Sequence, residues 1–241
     1  MELLEVNGLT KSFGGLTAII DLSFQVRERE ILGLIGPNGA GKTTAFNLIS
    51  GYYRPDRGQV FFKGENITGI KPSKICKRGL TRTFQKVQPF LHMTVMENVM
   101  VGAFNQCNQT NKAMEMAQEV LEITDMVGIK DRTGESLTLG QWKKLEIAKA
   151  LSTEPSLLLL DEVLAGLNAT EVVDSLQLIR KIRDQGVTIL MVEHVMQAIM
   201  AISDRIIVLN NGEKIAEGLS QEVTQDEEVI KAYLGVDFLA M

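Results

Sequence analysis

The chain has 241 residues, 45% of them hydrophobic and 23% charged, enough to bury the core of one large domain or of one domain with a sizeable insertion. Its 25 Lys and Arg against 30 Asp and Glu give a formal net charge of -5, which offers no global attraction to nucleic acid. Cys76 and Cys107 stand far apart and form no CxxC or His-containing pattern, so they read as reduced, structural thiols rather than metal ligands or a disulfide framework.

The opening stretch MELLEVNGLTKSFGG combines acidic residues with no basic-then-apolar run ending in small residues. The expectation is a chain without a secretory signal that stays inside the cell. Strands are expected over 3–9, 18–26 and 30–34. Between the last of these and a helical spacing that stops at Gly51 lies GPNGAGKTT, residues 36–44. Gly36, Gly39 and Gly41 admit torsions closed to other residues, so successive amides turn inward around an anion while the following helix adds its positive N-terminal end. The spacing from Gly36 through Gly41-Lys42-Thr43 fits the phosphate-loop pattern, in which the lysine reaches the terminal phosphates and the next hydroxyl coordinates magnesium. Gly36, Asn38, Gly39, Ala40, Gly41, Lys42, Thr43 and Thr44 are the nucleotide-contact candidates.

After the turn residues RPDRG a further strand is expected over 58–68, which gives the nucleotide loop a β-rich flank. From about Pro72 to Pro155 the pattern turns mostly helical: 72–79, then 94–104 opened by the capping-box pair Thr94 and Glu97, then an amphipathic 111–129, then 140–152. The basic run WKKLEIAK in the last of these reads as a solvated helix face. Phe90, Leu91, Met93, Val95, Met96, Val99 and Met100 suit either ordinary subdomain core or a groove for a membrane protein's cytoplasmic helix.

Strands and helices then alternate: 156–161, helix 170–186 closed by Gly186, strand 187–193, helix 195–203, strand 205–210, the turn NNG and strand 214–218. Such alternation with short apolar strands implies a mainly parallel sheet covered on both faces. The most apolar stretch, from Val187 on, is interrupted by Glu193, His194, Gln197, Asp204 and Arg205, and it falls short of the roughly 18 uninterrupted apolar residues of a membrane span. Asp161 and Glu162 end the buried strand LLLLDE on its carboxyl side, where ligands sit in open α/β sheets. Asp161 would hold magnesium, and Glu162 would orient or deprotonate the water attacking a γ-phosphate, a role worth about 10²- to 10⁴-fold in rate.

In this order the motifs resemble the ATP-binding-cassette ATPases over the whole chain. The resemblance places Phe13 of KSFGG as the aromatic that stacks on adenine and Gln85 of TRTFQ as the residue that contacts magnesium and water and reports to the membrane partner. It identifies LTLGQ at 137–141 as the family signature, with Thr138, Gly140 and Gln141 reaching nucleotide, AGLN at 165–168 as the dimer-contact loop and His194 as the switch histidine. It implies catalytic roles for Glu162, His194, Gln85 and Lys42, magnesium contacts for Thr43, Gln85 and Asp161, and ATP with Mg²⁺ as the bound species. The fold implied is α/β, a P-loop NTPase of this type with a mainly parallel core sheet, an antiparallel β subdomain and a helical insertion. One domain would span 1–241, with core 1–85 and 156–241 and the helical subdomain at about 86–155.

The partners implied are a second, non-identical ATPase that sandwiches ATP, transmembrane permease subunits and, indirectly, a substrate-binding protein, at the cytoplasmic face of the membrane. Leu139 stands where the signature usually has glycine, Asn168 where the contact loop usually has aspartate, and Val163 where proline usually follows the glutamate. AGLN, RTFQ, ENVMVGAF and the ending AYLG together resemble the first ATPase of branched-chain amino-acid importers. A lipopolysaccharide-export-type ATPase and a soluble cassette ATPase of iron-sulfur cluster assembly stand as alternatives.

Overall fold

The computed structural model describes residues 1–84 and 89–234. In chain order, β1 (Glu2–Phe13), β2 (Leu16–Arg27) and β3 (Ile31–Ile35) lead into α1 (Lys42–Ile49), followed by β4 (Arg57–Phe62), β5 (Glu65–Asn66), α2 (Pro72–Lys77) and β6 (Leu80–Arg82). Next come α3 (Val95–Ala103), α4 (Thr110–Ile123), α5 (Leu139–Leu151), β7 (Leu157–Asp161) and α6 (Ala169–Asp184). The chain closes with β8 (Thr188–Val192), α7 (Met196–Ile202), β9 (Arg205–Asn210), β10 (Glu213–Gly218), α8 (Ser220–Gln225) and α9 (Glu227–Leu234). These elements form two compact units, Met1–Pro72 with the described residues from Thr188 on, and Ser73–Val187.

In the first unit, β1 pairs antiparallel with β2 on one side and β4 on the other, and β5 extends the order to β2-β1-β4-β5. The last half of β2 alternates cleanly, with Leu22, Phe24 and Val26 buried and Ser23, Gln25 and Arg27 exposed, as befits a sheet with one face in the core. β3 behaves differently. It lies parallel to both β8 and β9, and every residue of β3 and β8 is buried, so these strands read as continuous apolar runs with no polar face. β10 adds antiparallel to β9 through the tight turn at Asn211 and Gly212, both at positive φ.

In the second unit, β6 runs parallel to β7, whose five residues are all buried. In this unit α3, α5 and α6 begin on side-chain caps, whereas α4 does not. Thr94 caps α3 as expected: its hydroxyl accepts the Glu97 N–H at 3.1 Å, and the Glu97 carboxylate accepts the Thr94 N–H at 2.7 Å. The segment expected to serve either core or groove divides between the two environments. Val95, Val99 and Met100 are buried, whereas Phe90 and Leu91 stay exposed. The expectation of a solvated face for WKKLEIAK is corrected here, because Lys143 and Glu146 are both buried. Among the described residues, no helix is long and apolar enough to cross a membrane.

Candidate active site

β3 delivers the chain to the phosphate loop, and α1 carries it away. Gly36 stands at φ 152, where a Cβ would overlap the Leu209 carbonyl; Gly41 stands at φ 103, where a Cβ would lie 2.6 Å from the Ala18 carbonyl oxygen. Only glycine fits at these two points, in torsion and in space. Gly41 is also the N-cap of α1 and supplies no side-chain cap, so the first-turn amides are left to an anion. Lys42 is buried, and its ammonium donates to the carbonyls of Gly36 at 2.6 Å and Pro37 at 2.9 Å. The loop is thus wound around its own cation. Asn38, Gly39 and Thr43 are exposed along its rim, Ala40 is buried, and Thr44 is half-buried.

Phe13, the last residue of β1, keeps 43% of its surface exposed. Its ring meets Tyr53 edge-on at 5.2 Å between centroids, and Lys11 lies 5.5 Å from its centre. A ring fixed by edge contact offers its face to a flat, electron-poor partner. His194 follows β8 and is exposed. The first unit therefore carries the loop, the aromatic and the histidine.

The second unit carries the acidic and signature residues. Asp161, the end of β7, is 1% exposed. Its Oδ2 accepts from Arg82 Nη2 at 2.6 Å, while Oδ1 has no hydrogen-bond partner among the described residues. Thr83 supports it from β6's end by accepting the Asp161 N–H at 3.1 Å. A buried carboxylate oxygen with a lone pair to spare is a hard donor, the type that Mg²⁺ selects when a protein supplies only one or two of its ligands and phosphate and water supply the rest. Glu162 is buried with φ 51, a left-handed backbone on a residue with a side chain. Gln85 lies outside the described residues.

The signature residues open a helix. Thr138 is the N-cap of α5: its hydroxyl accepts the Gln141 N–H at 3.3 Å, and Gln141 Oε1 accepts the Thr138 N–H at 3.1 Å. Because the cap uses Thr138 only as an acceptor, the hydroxyl proton is left to donate elsewhere. The Glu171 carboxylate lies over Gly140, where a Cβ would meet it. Glu171 in turn completes the same kind of box with Asn168 at the start of α6, the Glu171 N–H donating to Asn168 Oδ1 at 3.1 Å. Thus Thr138, Gly140 and Gln141 gather at one helix start, and Asn168 begins the next.

Three residues beyond the sequence expectations touch this machinery. Arg82 pairs with Asp161, and a basic residue beside the buried Leu80 and Thr81 was the signal in LTR. Lys143 donates to the Glu162 carbonyl at 2.9 Å; it sits four residues after Leu139 and four before buried Ile147, a basic residue on an apolar stripe. Tyr233 in α9 hydrogen-bonds with the Gly36 backbone, and burial pushes its phenol up to about 12. Nothing in AYLG foretold where that tyrosine would land.

A family model described as ABC transporter matches residues 19–165, and one described as branched-chain amino acid ATP-binding cassette transporter matches 213–238. The high-affinity branched-chain amino acid transport ATP-binding protein BraF of Pseudomonas aeruginosa is 41% identical over 249 residues, covering 97% of this chain and 98% of its own length. The corresponding protein LivG of Escherichia coli K12 is 39% identical with the same coverage. Among solved structures, a nucleotide-free ATP-binding cassette from an ABC transporter is similar at TM-score 0.89 and 31% identity, covering 98% of this chain and 100% of that one. The ADP conformation of an ABC transporter cassette is similar at TM-score 0.89 and 31% identity, covering 98% and 99%.

Proposed function

The chain belongs to the ABC transporter family, as an ATP-binding cassette that hydrolyses ATP, and we propose that it powers an importer of branched-chain amino acids. Both matched segments and the near full-length relatives support this over lipopolysaccharide export or iron-sulfur cluster assembly. The observation that carries the ATPase reading is the phosphate loop, whose Gly36 and Gly41 leave no space for a side chain and whose buried lysine already lies among the loop carbonyls.

In this reading the chain's own residues divide the work. The amides of the loop and of α1's first turn bind the phosphates, Lys42 exchanges its carbonyl partners for β- and γ-phosphate oxygens, and Phe13 stacks on the base. Thr43 and Asp161, with Gln85, would hold Mg²⁺, which when bound supplies charge neutralisation at the transferring phosphoryl group. Glu162 orients the attacking water, and His194 stands beside the γ-phosphate. Thr138, Gly140 and Gln141 address the nucleotide of a second, non-identical ATPase, so that two chains enclose each ATP. Permease subunits hold the pair at the cytoplasmic face of the membrane, and a substrate-binding protein delivers the amino acid to them. The helical insertion at about 86–155 is the part that faces the permease.

Phosphate release tests the ATPase roles. Lys42→Ala should lose tight ATP binding, whereas Glu162→Gln should bind ATP like the parent and stop turning it over. A parental hydrolysis rate in Glu162→Gln would show that this carboxylate is not the water-orienting group. Transport is tested separately, by leucine uptake in cells that lack the chain and are complemented with the parent or with Lys42→Ala.

A further inference from the structure

Lys143 is a buried cation that the roles above leave unused. It stands one turn into α5 and is 6% exposed, an environment that lysine enters only when its charge has partners. Its ammonium donates at 2.9 Å to the carbonyl of Glu162, which also accepts the Ala165 N–H at 3.3 Å. Glu162 itself is held at φ 51. A residue with a side chain keeps that conformation only where its surroundings over-determine it.

Two further contacts join the same stretch to the same helix. Glu171 fills the space where a Gly140 side chain would be, and Leu139 Cδ2 lies 3.0 Å from where a Cβ on Gly166 would stand. The first two turns of α5 therefore grip the chain at Glu162, at Gly166 and at Glu171. The hydrogen bond from Lys143 brings a charge to the Glu162 backbone in that grip, and a charge-assisted bond of this kind is both short and strong.

We infer that Lys143 is a positioning residue: by clamping the Glu162 carbonyl it fixes the left-handed turn that sets the direction of the Glu162 carboxylate. It also ties that carboxylate to the helix opened by Thr138, Leu139 and Gly140. A shift of α5 when the signature engages nucleotide on the second chain would then reach the glutamate of its own chain through one side chain. The inference rests on the reading of Glu162 as the water-orienting residue.

The test uses the full chain with Lys143→Met, which keeps length and volume and removes the donor. Turnover should fall by about 100-fold, the order of loss that a misplacement of about 1 Å brings, with ATP affinity unchanged. Amide exchange should accelerate over 160–168 while α3 and α4 exchange as in the parent. If Lys143→Met does not fold, Lys143→Gln, with a shorter neutral donor, should show the same local acceleration and loss to a smaller degree. Parental exchange over 160–168, equal acceleration throughout residues 73–187, or parental turnover would each overturn the clamp. Parental turnover in Glu162→Gln would instead overturn the role of the glutamate, and the exchange measurement would still decide whether Lys143 holds its backbone.

Discussion

Phe13 shows how one side chain can be both legible and incomplete in a sequence. Its place at the end of β1, ahead of GlyGly, marked it, but Tyr53 against its edge and Lys11 near its ring were invisible until β1 and the loop after α1 were folded together. The ring has no hydroxyl to read a base edge, so its contribution is stacking, which favours any purine. Phe13→Ala should weaken ATP binding by about 10-fold, within the 1–3 kcal/mol that stacking of a base on an aromatic ring supplies. GTP should compete measurably with ATP in the parent, and titration with a fluorescent nucleotide reads both quantities; unchanged ATP affinity in Phe13→Ala would remove the ring from the base site. The phosphate loop, by contrast, was readable residue by residue, because its chemistry is local: glycines, a lysine and hydroxyls at fixed spacing. Arg82 and Lys143 were not, because each acquires its meaning from a partner 79 or 19 residues away in sequence.

At the scale of elements, periodicity located most strands and helices because burial on one face or both dictates it. It missed β6, three residues long, and the terminal pair α8 and α9, each of which is about two turns or less and too short to show a repeat. It placed helices after the signature and the contact loop but missed that both open on capping boxes of the same design as Thr94–Glu97, since LTLGQ and GLNATE carry the capping pair inside a functional motif. That shared design has a measurable consequence in α3. The Thr94 N–H and then the Thr94 hydroxyl donate to the Glu97 carboxylate and hold its pKa below the usual glutamate range. A lowered folded-state pKa contributes stability that is present above the unfolded value and is lost as pH falls through the folded one. The protection of the amides in the first turn of α3, taken as the exchange rate relative to the intrinsic rate at the same pH, should therefore fall on acidification below the ordinary glutamate range. Glu97→Gln should already be less protected at neutral pH, with a protection that changes little as the pH drops; an acid-induced loss of protection equal to the parent's would place the titrating group elsewhere.

For the molecule as a whole, two of the three departures from the family pattern, Leu139 and Asn168, fall at helix starts that present a surface, while Val163 is buried. Leu139, 45% exposed, offers an apolar side chain at the opening of α5, where glycine would offer bare backbone. Asn168 keeps the cap of α6 through Oδ1 yet lacks the charge of aspartate, so the change spares the fold and alters only what an approaching chain meets. Substitutions that leave local structure intact and change a contact face are the pattern expected of pairing with a complementary, non-identical chain. The isolated chain, even as Glu162→Gln with excess ATP, should then form its ATP-bound homodimer weakly and hydrolyse slowly, while the second ATPase should raise both dimerisation and turnover by mass action on the closed state. Leu139→Gly should shift this balance toward the homodimer if the leucine is what sets the preference. Size-exclusion chromatography with light scattering, run with and without ATP, reads the outcome: a tight ATP-dependent homodimer with full activity and no second ATPase would sink the heterodimer and leave a symmetric transporter in its place.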